Sequence, residues 1–459
     1  MHPLVAPERV LPTLNADGTR NRIRPRLYPG PLYSRRRAVA WALVVLFVSL
    51  PWLTIAGKPA IFLDVIHRQF SFFGHTFLAT DGALLMLLML TIFAAVFWTT
   101  ALVGRAWCGW GCPQTVYMEF LFRPIERLFE GKREAQLALD KSGGSTRRLL
   151  KNFAFLLLSF VLANVFLSYF VGTLALRSWV TEPPSKHMAG FLVVAVTTGL
   201  VFFDFAYFRE QMCTVICPYA RLQSVLLDRR SLLIGYDAKR GEPRSKGKQK
   251  AGNGDCIDCQ ACVVACPTGI DIRQGLQLEC IACGQCVDAC DSIMARIQKP
   301  LGLIRYASQD TLDWGRKAAL LRPRVVIYFV LLLALLVILT RSVLVKPGAE
   351  VTILRGIGAP FTESGAQVVN QIRIKVRNRS SAAQNYHVTI SDLPMAQLIA
   401  PEDPLPVPAG EQRTTSVFVL LPRDAFSHAH RAVQFRVTDG HGYRADFPYE
   451  LLGPEALSP

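Results

Sequence analysis

Five stretches of this chain stay apolar for about 20 residues each, and that decides where it can fold. A helix rises about 1.5 Å per residue, so about 20 such residues cross a hydrocarbon core about 30 Å thick. The stretches are 38–57, 82–104, 153–176, 189–208 and 325–345 of 459 residues. Inside a bilayer a helix satisfies its own backbone, so a five-helix α transmembrane bundle is expected. Pro51 in the first stretch and Asn164 in the third are tolerable where neighbouring helices satisfy such groups. Arg341 stands near the end of the last, where its stem reaches the interface. The first 37 residues are polar and Arg-rich and no cleavage motif follows the first stretch, so no removed signal peptide is expected.

Basic residues then assign the sides. Lys plus Arg number 8 in residues 1–37, 2 in 58–81, 9 in 105–152, 2 in 177–188 and 18 in 209–324. The positive-inside rule places the N-terminal segment (1–37), the 105–152 loop and the 209–324 segment in the cytoplasm. The fifth span then sends residues 350–459 to the periplasm. From residue 347 onward 10 basic residues face 11 acidic ones, so that tail is nearly neutral. Most of the net charge of +17 therefore belongs to cytoplasmic flanks of membrane helices, where it meets anionic lipid in the bilayer. A chain that is 51% hydrophobic is not expected to take nucleic acid as a partner. Residues 239–252 are basic and Gly-rich and read as a flexible linker, between a membrane domain (38–238) that holds the first four spans and a compact module (253–300).

All twelve cysteines fall into two kinds of motif. The runs Cys256-x2-Cys259-x2-Cys262-x3-Cys266-Pro and Cys280-x2-Cys283-x2-Cys286-x3-Cys290 follow the bacterial pattern for a pair of [4Fe–4S] clusters. Three thiolates at x2 spacing wrap one cluster, and the fourth serves the other. Cys256, Cys259, Cys262 and Cys290 are thus expected on one cluster, and Cys280, Cys283, Cys286 and Cys266 on the second. Asp291 replaces the usual second proline and removes no ligand. A cytoplasmic location argues against disulfides, and tetrahedral zinc sites lack the third and fourth spacings. A ferredoxin-like α+β module is the expected fold.

The second kind of motif is an internal repeat at a constant offset of 105 residues. Cys108-x3-Cys112-Pro follows the second span and Cys213-x3-Cys217-Pro follows the fourth. Cysteines four apart share a helix face, and each proline suits the first turn of a new helix. The basic amphipathic stretches 114–129 and 219–234 come next and are suited to the membrane surface. Two such units paired by pseudosymmetry bring four thiols together. The open readings are a soft-metal site for Cu(I), zinc or iron–sulfur, a redox thiol pair with Arg105 and Arg209 favouring thiolate, and plain structural cysteines.

Other groups carry less. No histidine lies in a span, and Cys-x-x-Cys-His is absent, so haem is not expected. His67 and His75 accompany Asp64 and Asp81 in a short loop that reads as solvated. His428, His430 and His441 read as surface residues, and Met86 with Met89 as helix packing. From residue 350 to 452, β-rich runs such as 371–376, 386–390, 415–420, 433–438 and 445–450 alternate with turn signals. They read as an immunoglobulin-like β-sandwich that must hold without a disulfide.

Taken together, the five spans, the two Cys-x3-Cys-Pro motifs, the paired-cluster cysteines and the sandwich tail resemble one family across nearly the whole chain. It is the CcoG family, also called FixG or RdxA, the cytochrome c oxidase accessory proteins of bacteria. The resemblance implies a multi-pass protein of the bacterial inner membrane that aids assembly of a cbb-type cytochrome c oxidase and works with its copper assembly factors. It implies reduction of Cu(II) to Cu(I) with electrons from a cytoplasmic donor. Cys108, Cys112, Cys213 and Cys217 would then hold copper and act as the catalytic residues. An electron conduit to a quinone or protein acceptor, and an assembly scaffold or redox sensor, are the alternatives.

Overall fold

The computed structural model describes residues 9–15, 17, 20–55, 58–65, 69–78, 81–142, 146–245, 253–275, 277–316, 322–345, 347–380, 382–426 and 429–454. His67, His428 and linker residues 246–252 lie outside these. The chain divides into two units. One comprises Met1–Leu53, Pro59–Arg68 and Thr80–Leu339, and the other Thr54–Lys58, Gln69–Ala79 and Thr340–Pro459.

Among the described residues, four helices are long and apolar enough to cross a membrane: Gly82–Val103, Thr146–Val171, Met188–Phe208 and Pro323–Leu344. The first expected span, 38–57, differs. Its helix runs Pro31–Ser49 and gives way to a single 3-10 turn, Leu50–Trp52. Pro51 cannot donate an amide, and the Phe47 carbonyl it would have served accepts instead from the Tyr169 hydroxyl (2.6 Å), so the α-helix covers only residues 38–49 of the apolar stretch, about 18 Å. The third span stops at Gly172, whose φ is 81°. Asn164 donates its Nδ2 to the Phe160 carbonyl at 2.7 Å, while its Oδ1 is buried without a hydrogen-bond partner among the described residues. Met86 and Met89, expected to pack, face outward at 61% and 49% exposure, which suits a lipid-facing surface.

The stretch after the first Cys-Pro does not lie on a surface as its amphipathic pattern led us to expect. Its helices Pro113–Tyr117 and Arg123–Glu130 flank a π-turn, Met118–Phe122, and Phe122 is buried between Phe155 (ring centroids 4.9 Å) and Phe205 (4.3 Å). Its charged face also goes inside, because partners await it there. Glu126 and Glu130 meet Arg24, and Lys151 Nζ lies 2.8 Å from Glu130. The second such stretch is helical only over Pro218–Leu226. Its end forms the strand Leu233–Tyr236, which pairs antiparallel with Ile304–Ala307 and closes the cysteine-rich module from outside the expected 253–300 span.

That module is docked on the bundle. Asp288, on the helix Gln285–Arg296, accepts from the Leu32 and Tyr33 amides at 3.2 and 2.7 Å and so caps the helix Pro31–Ser49 from another element. The front of the expected linker is likewise held, with Arg240 Nε 2.6 Å from Asp255.

The second unit carries the β-sandwich. One sheet orders Ala349–Arg355, Gln367–Asn378, Gln412–Pro422 and Gln397–Ile399, with Thr362–Ser364 beside the second strand; the other orders Leu405–Val407, Gln384–Ile390, His430–Thr438 and Arg444–Leu452. Alternate residues of Gln367–Asn378 are buried, among them Ile372, Ile374 and Val376, against Val419, Leu421, Phe435 and Val437. Asn370 ties the sheets together, giving its Nδ2 to the Leu452 carbonyl (2.9 Å) and taking the Leu452 amide on its Oδ1 (3.0 Å). His430 and His441 are exposed.

Candidate functional site

Each Cys-x3-Cys-Pro motif is a break between helices. In the first, Gly104 (φ 59°, ψ −127°) stops the second span, the short helix Ala106–Trp110 carries Cys108, and Cys112 is extended so that Pro113 opens the next helix. In the second, Arg209 (φ 55°, ψ −124°) stops the fourth span, the π-turn Met212–Ile216 carries Cys213, and Cys217 is extended ahead of Pro218. Gly104 and Arg209 are themselves 105 residues apart. They share a backbone conformation that residues with a β-carbon rarely adopt. Arg209 is held in it by a buried two-pronged pair with Glu126, at 2.8 and 2.9 Å.

The two halves interlock crosswise. Gln114, directly after the first Cys-Pro, donates to Asp204 at the end of the fourth span (3.1 Å). Its counterpart Tyr219 shares a hydrogen bond with Thr100 at the end of the second span (3.0 Å). Cys108 Sγ donates to Gln223 Oε1 (3.3 Å), and Gln223 Nε2 donates to the Tyr219 hydroxyl (2.9 Å). These bonds gather Cys108, Cys112, Cys213 and Cys217 into mutual electrostatic range. Burial pushes the Cys108 and Cys213 thiols up to about 12, and the neighbouring thiols add to it. Arg105 opposes the rise at Cys108 without cancelling it. Arg209, expected to favour thiolate, is committed to Glu126 and Glu210 instead. Sequence reasoning missed Gln223 and Tyr219; extending the 105-residue offset from Gln114 would have pointed to Tyr219.

The eight remaining thiols form two groups. Cys256, Cys259, Cys262 and Cys290 line one cavity together with Tyr236, Met294 and Ile304. Cys266 acts electrostatically on Cys280, Cys283 and Cys286, which places it in the second group. Burial is the largest cause that raises Cys262, Cys280 and Cys290 to about 12 and Cys283 to about 11. All twelve cysteines are free of disulfides, and Cys259 alone among them is exposed. Two sets of four soft thiol donors, mostly shielded from water by apolar walls, fit two [4Fe–4S] clusters.

The second group abuts the interfacial thiols. Gly109, between Cys108 and Cys112, lies so close to the 281–283 loop that a β-carbon on it would stand 2.4 Å from the Ile281 carbonyl and 2.9 Å from the Cys283 Cα. Trp110 Nε1 donates to the Tyr306 hydroxyl (3.2 Å), which donates to the Ala282 carbonyl (2.6 Å). Arg105 is buried within electrostatic range of both Cys108 and Cys280.

Three family models match the chain. One describes a 4Fe-4S dicluster domain and covers residues 208–309, with Cys213 and Cys217 as well as the eight module cysteines. Another describes a 4Fe-4S binding domain and covers 85–134, with Cys108 and Cys112. The third describes the IG-like fold at the C-terminal of FixG and covers 339–454. Among curated relatives, protein RdxA of Cereibacter sphaeroides is 33% identical over 77% of this chain and 80% of its own length. Protein RdxB of the same organism is 32% identical over 86% of this chain and 89% of its own. Nitrogen fixation protein FixG of Rhizobium meliloti is 29% identical over 95% of this chain and 94% of its own.

Proposed function

This chain belongs to the FixG and RdxA family of 4Fe-4S membrane proteins, and we propose that it carries single electrons from a cytoplasmic donor to Cu(II) at the interfacial thiols. The Cu(I) formed would pass, through copper assembly factors, to a cbb-type cytochrome c oxidase. Cys256, Cys259, Cys262 and Cys290 would hold one [4Fe–4S] cluster, and Cys266, Cys280, Cys283 and Cys286 the other. Each cluster supplies reversible one-electron transfer. The exposed Cys259 marks the side that faces a donor.

The observation that carries the reading is the seat of Gly109 on the Cys283 loop, which leaves little more than backbone between the second thiol group and the four interfacial thiols. Thiolates at Cys108, Cys112, Cys213 and Cys217 favour Cu(I) over Cu(II), and their protons leave when metal binds. One electron converts one Cu(II) to Cu(I). The basic flanks support a cytoplasmic N-terminus and module, with the sandwich in the periplasm and the helix Pro31–Ser49 as a short fifth crossing.

The test is anaerobic stopped-flow mixing of the reduced protein with Cu(II), read by cluster bleaching and Cu(I) formation. Serine at all four interfacial positions should abolish Cu(I) formation and leave the iron–sulfur spectrum intact. Undiminished reduction in that variant removes these thiols from the mechanism.

An apolar groove favours a quinone acceptor as the second reading. Pro113, Tyr117, Leu200 and Met212 line it, and the Gln114 amide and Asp204 carboxylate supply its polar groups. Cluster oxidation by quinone and not by Cu(II) would put this reading first.

A further inference from the structure

We propose that Arg36 sets the reduction potential of the membrane-proximal [4Fe–4S] cluster by holding an unneutralised positive charge against it. The proposal rests on the iron–sulfur assignment and not on copper as the acceptor.

Arg35, Arg36 and Arg37 open the first helix as a basic flank. Arg35 and Arg37 are exposed, as such a flank should be, whereas Arg36 is 0% exposed. A buried guanidinium is costly unless paired. Among the described residues Arg36 has one polar contact, from Nε to the Gly109 carbonyl, and its guanidinium lies 5.3 Å from the centroid of the Phe120 ring. Nη1 and Nη2 are buried with no hydrogen-bond partner among the described residues. The residue they flank, Gly109, is the one seated on Cys283, and the charge of Arg36 reaches the Cys283 thiol. Glu119, whose field also reaches Cys283, is paired with Arg123 at 2.9 Å. Four donor hydrogens of a guanidinium whose charge reaches Cys283 thus lack an acceptor among the described residues, and the thiolates and sulfide of a cluster there would supply one.

The other thiol group has the opposite surroundings. Arg273 acts on Cys262, but its guanidinium is bound by Asp271 (2.7 Å) and Asp258 (2.5 Å). Asp291 adds negative charge at Cys290. Reduction adds one negative charge to a cluster, so a buried cation favours the reduced form, and salt screens it little. The cluster beside Cys283 therefore has the higher potential of the two, and electrons collect next to the interfacial thiols.

The test is an EPR-monitored redox titration of the full-length protein in detergent, comparing wild type with Arg36→Gln and Arg36→Lys. Arg36→Gln should lower the reduction equilibrium constant of one cluster about tenfold, about 59 mV for a one-electron couple, and leave the other in place. Arg36→Lys, which keeps the charge, should titrate as wild type. Unchanged potentials in Arg36→Gln, or equal shifts in both clusters, would overturn the proposal. Should Arg36→Gln fail to load its clusters, Arg36→Lys decides alone. Native potentials support the role of charge, and a tenfold fall in one cluster refutes it.

Discussion

Gly109 and Cys283 meet backbone to backbone, with room for hydrogen and not for carbon between them: a β-carbon on Gly109 would stand 2.9 Å from the Cys283 Cα. Gly109 belongs to the first Cys-x3-Cys-Pro motif and Cys283 to the iron–sulfur module, so this one glycine sets how closely the two cysteine groups approach.

Gly109→Ala should therefore part the sites without touching a ligand. Neither the Ile281 carbonyl nor the Cys283 Cα can rotate away as a side-chain tip could. We expect both iron–sulfur signals to persist while cluster oxidation by Cu(II) slows, read by stopped-flow absorbance. Wild-type kinetics would show that electrons take another route.

Asp288 holds the module to the first helix by capping two amides that helix geometry leaves free. Asp288→Ala should cost about 1 kcal/mol, typical for loss of a cap. Thermal unfolding in detergent, followed at the iron–sulfur absorbance, would register it as a lower midpoint.

Glu126 gives the protein an acid limit. Burial alone would raise its carboxyl, but Arg209 first, then Arg24 and Arg123, outweigh burial and hold it well below the usual carboxylate range. A carboxyl lowered on folding stabilises fully above its unfolded pKa of about 4.3. That contribution is lost as pH falls from there toward the depressed folded value. Glu126→Gln leaves Arg209 and Arg24 short of a partner and should cost about 3–5 kcal/mol at neutral pH. Its penalty should shrink on acidification below about pH 4, measured as unfolding midpoint against pH.

Asn370 does in the sandwich what a disulfide does in many such domains, joining strands of opposite sheets. Asn370→Ala would strand the Leu452 amide and carbonyl and should cost about 1–3 kcal/mol. Hydrogen exchange on the full chain should show faster opening of Arg444–Leu452 and no change in the helices.

Much of this protein is legible residue by residue. Apolar length announced five spans, and four of them are long apolar helices among the described residues, because a bilayer leaves the backbone no alternative. Two-residue alternation announced strands such as Gln367–Asn378, because one face of a sheet is buried. Cysteine spacing announced iron–sulfur chemistry, since a cubane cluster demands thiolates at those intervals. All of these are local patterns, and local patterns survive without knowledge of what lies opposite.

What the tertiary structure alone decided is which patterns meet. Arg36 reads as a solvated flank and is buried, because Gly109 and Phe120 close over it. The stretch from Gln114 reads as a surface helix and is internal, because Arg24, Lys151 and Arg209 come from distant parts of the chain to neutralise its acids. Pro51 cut the first apolar stretch short. The offset of 105 residues hinted that two motifs pair, but only packing made Gln114 and Tyr219 reach across to Asp204 and Thr100. Burial and charge balance depend on every element that surrounds a side chain, and that information is not present in the neighbours along the sequence.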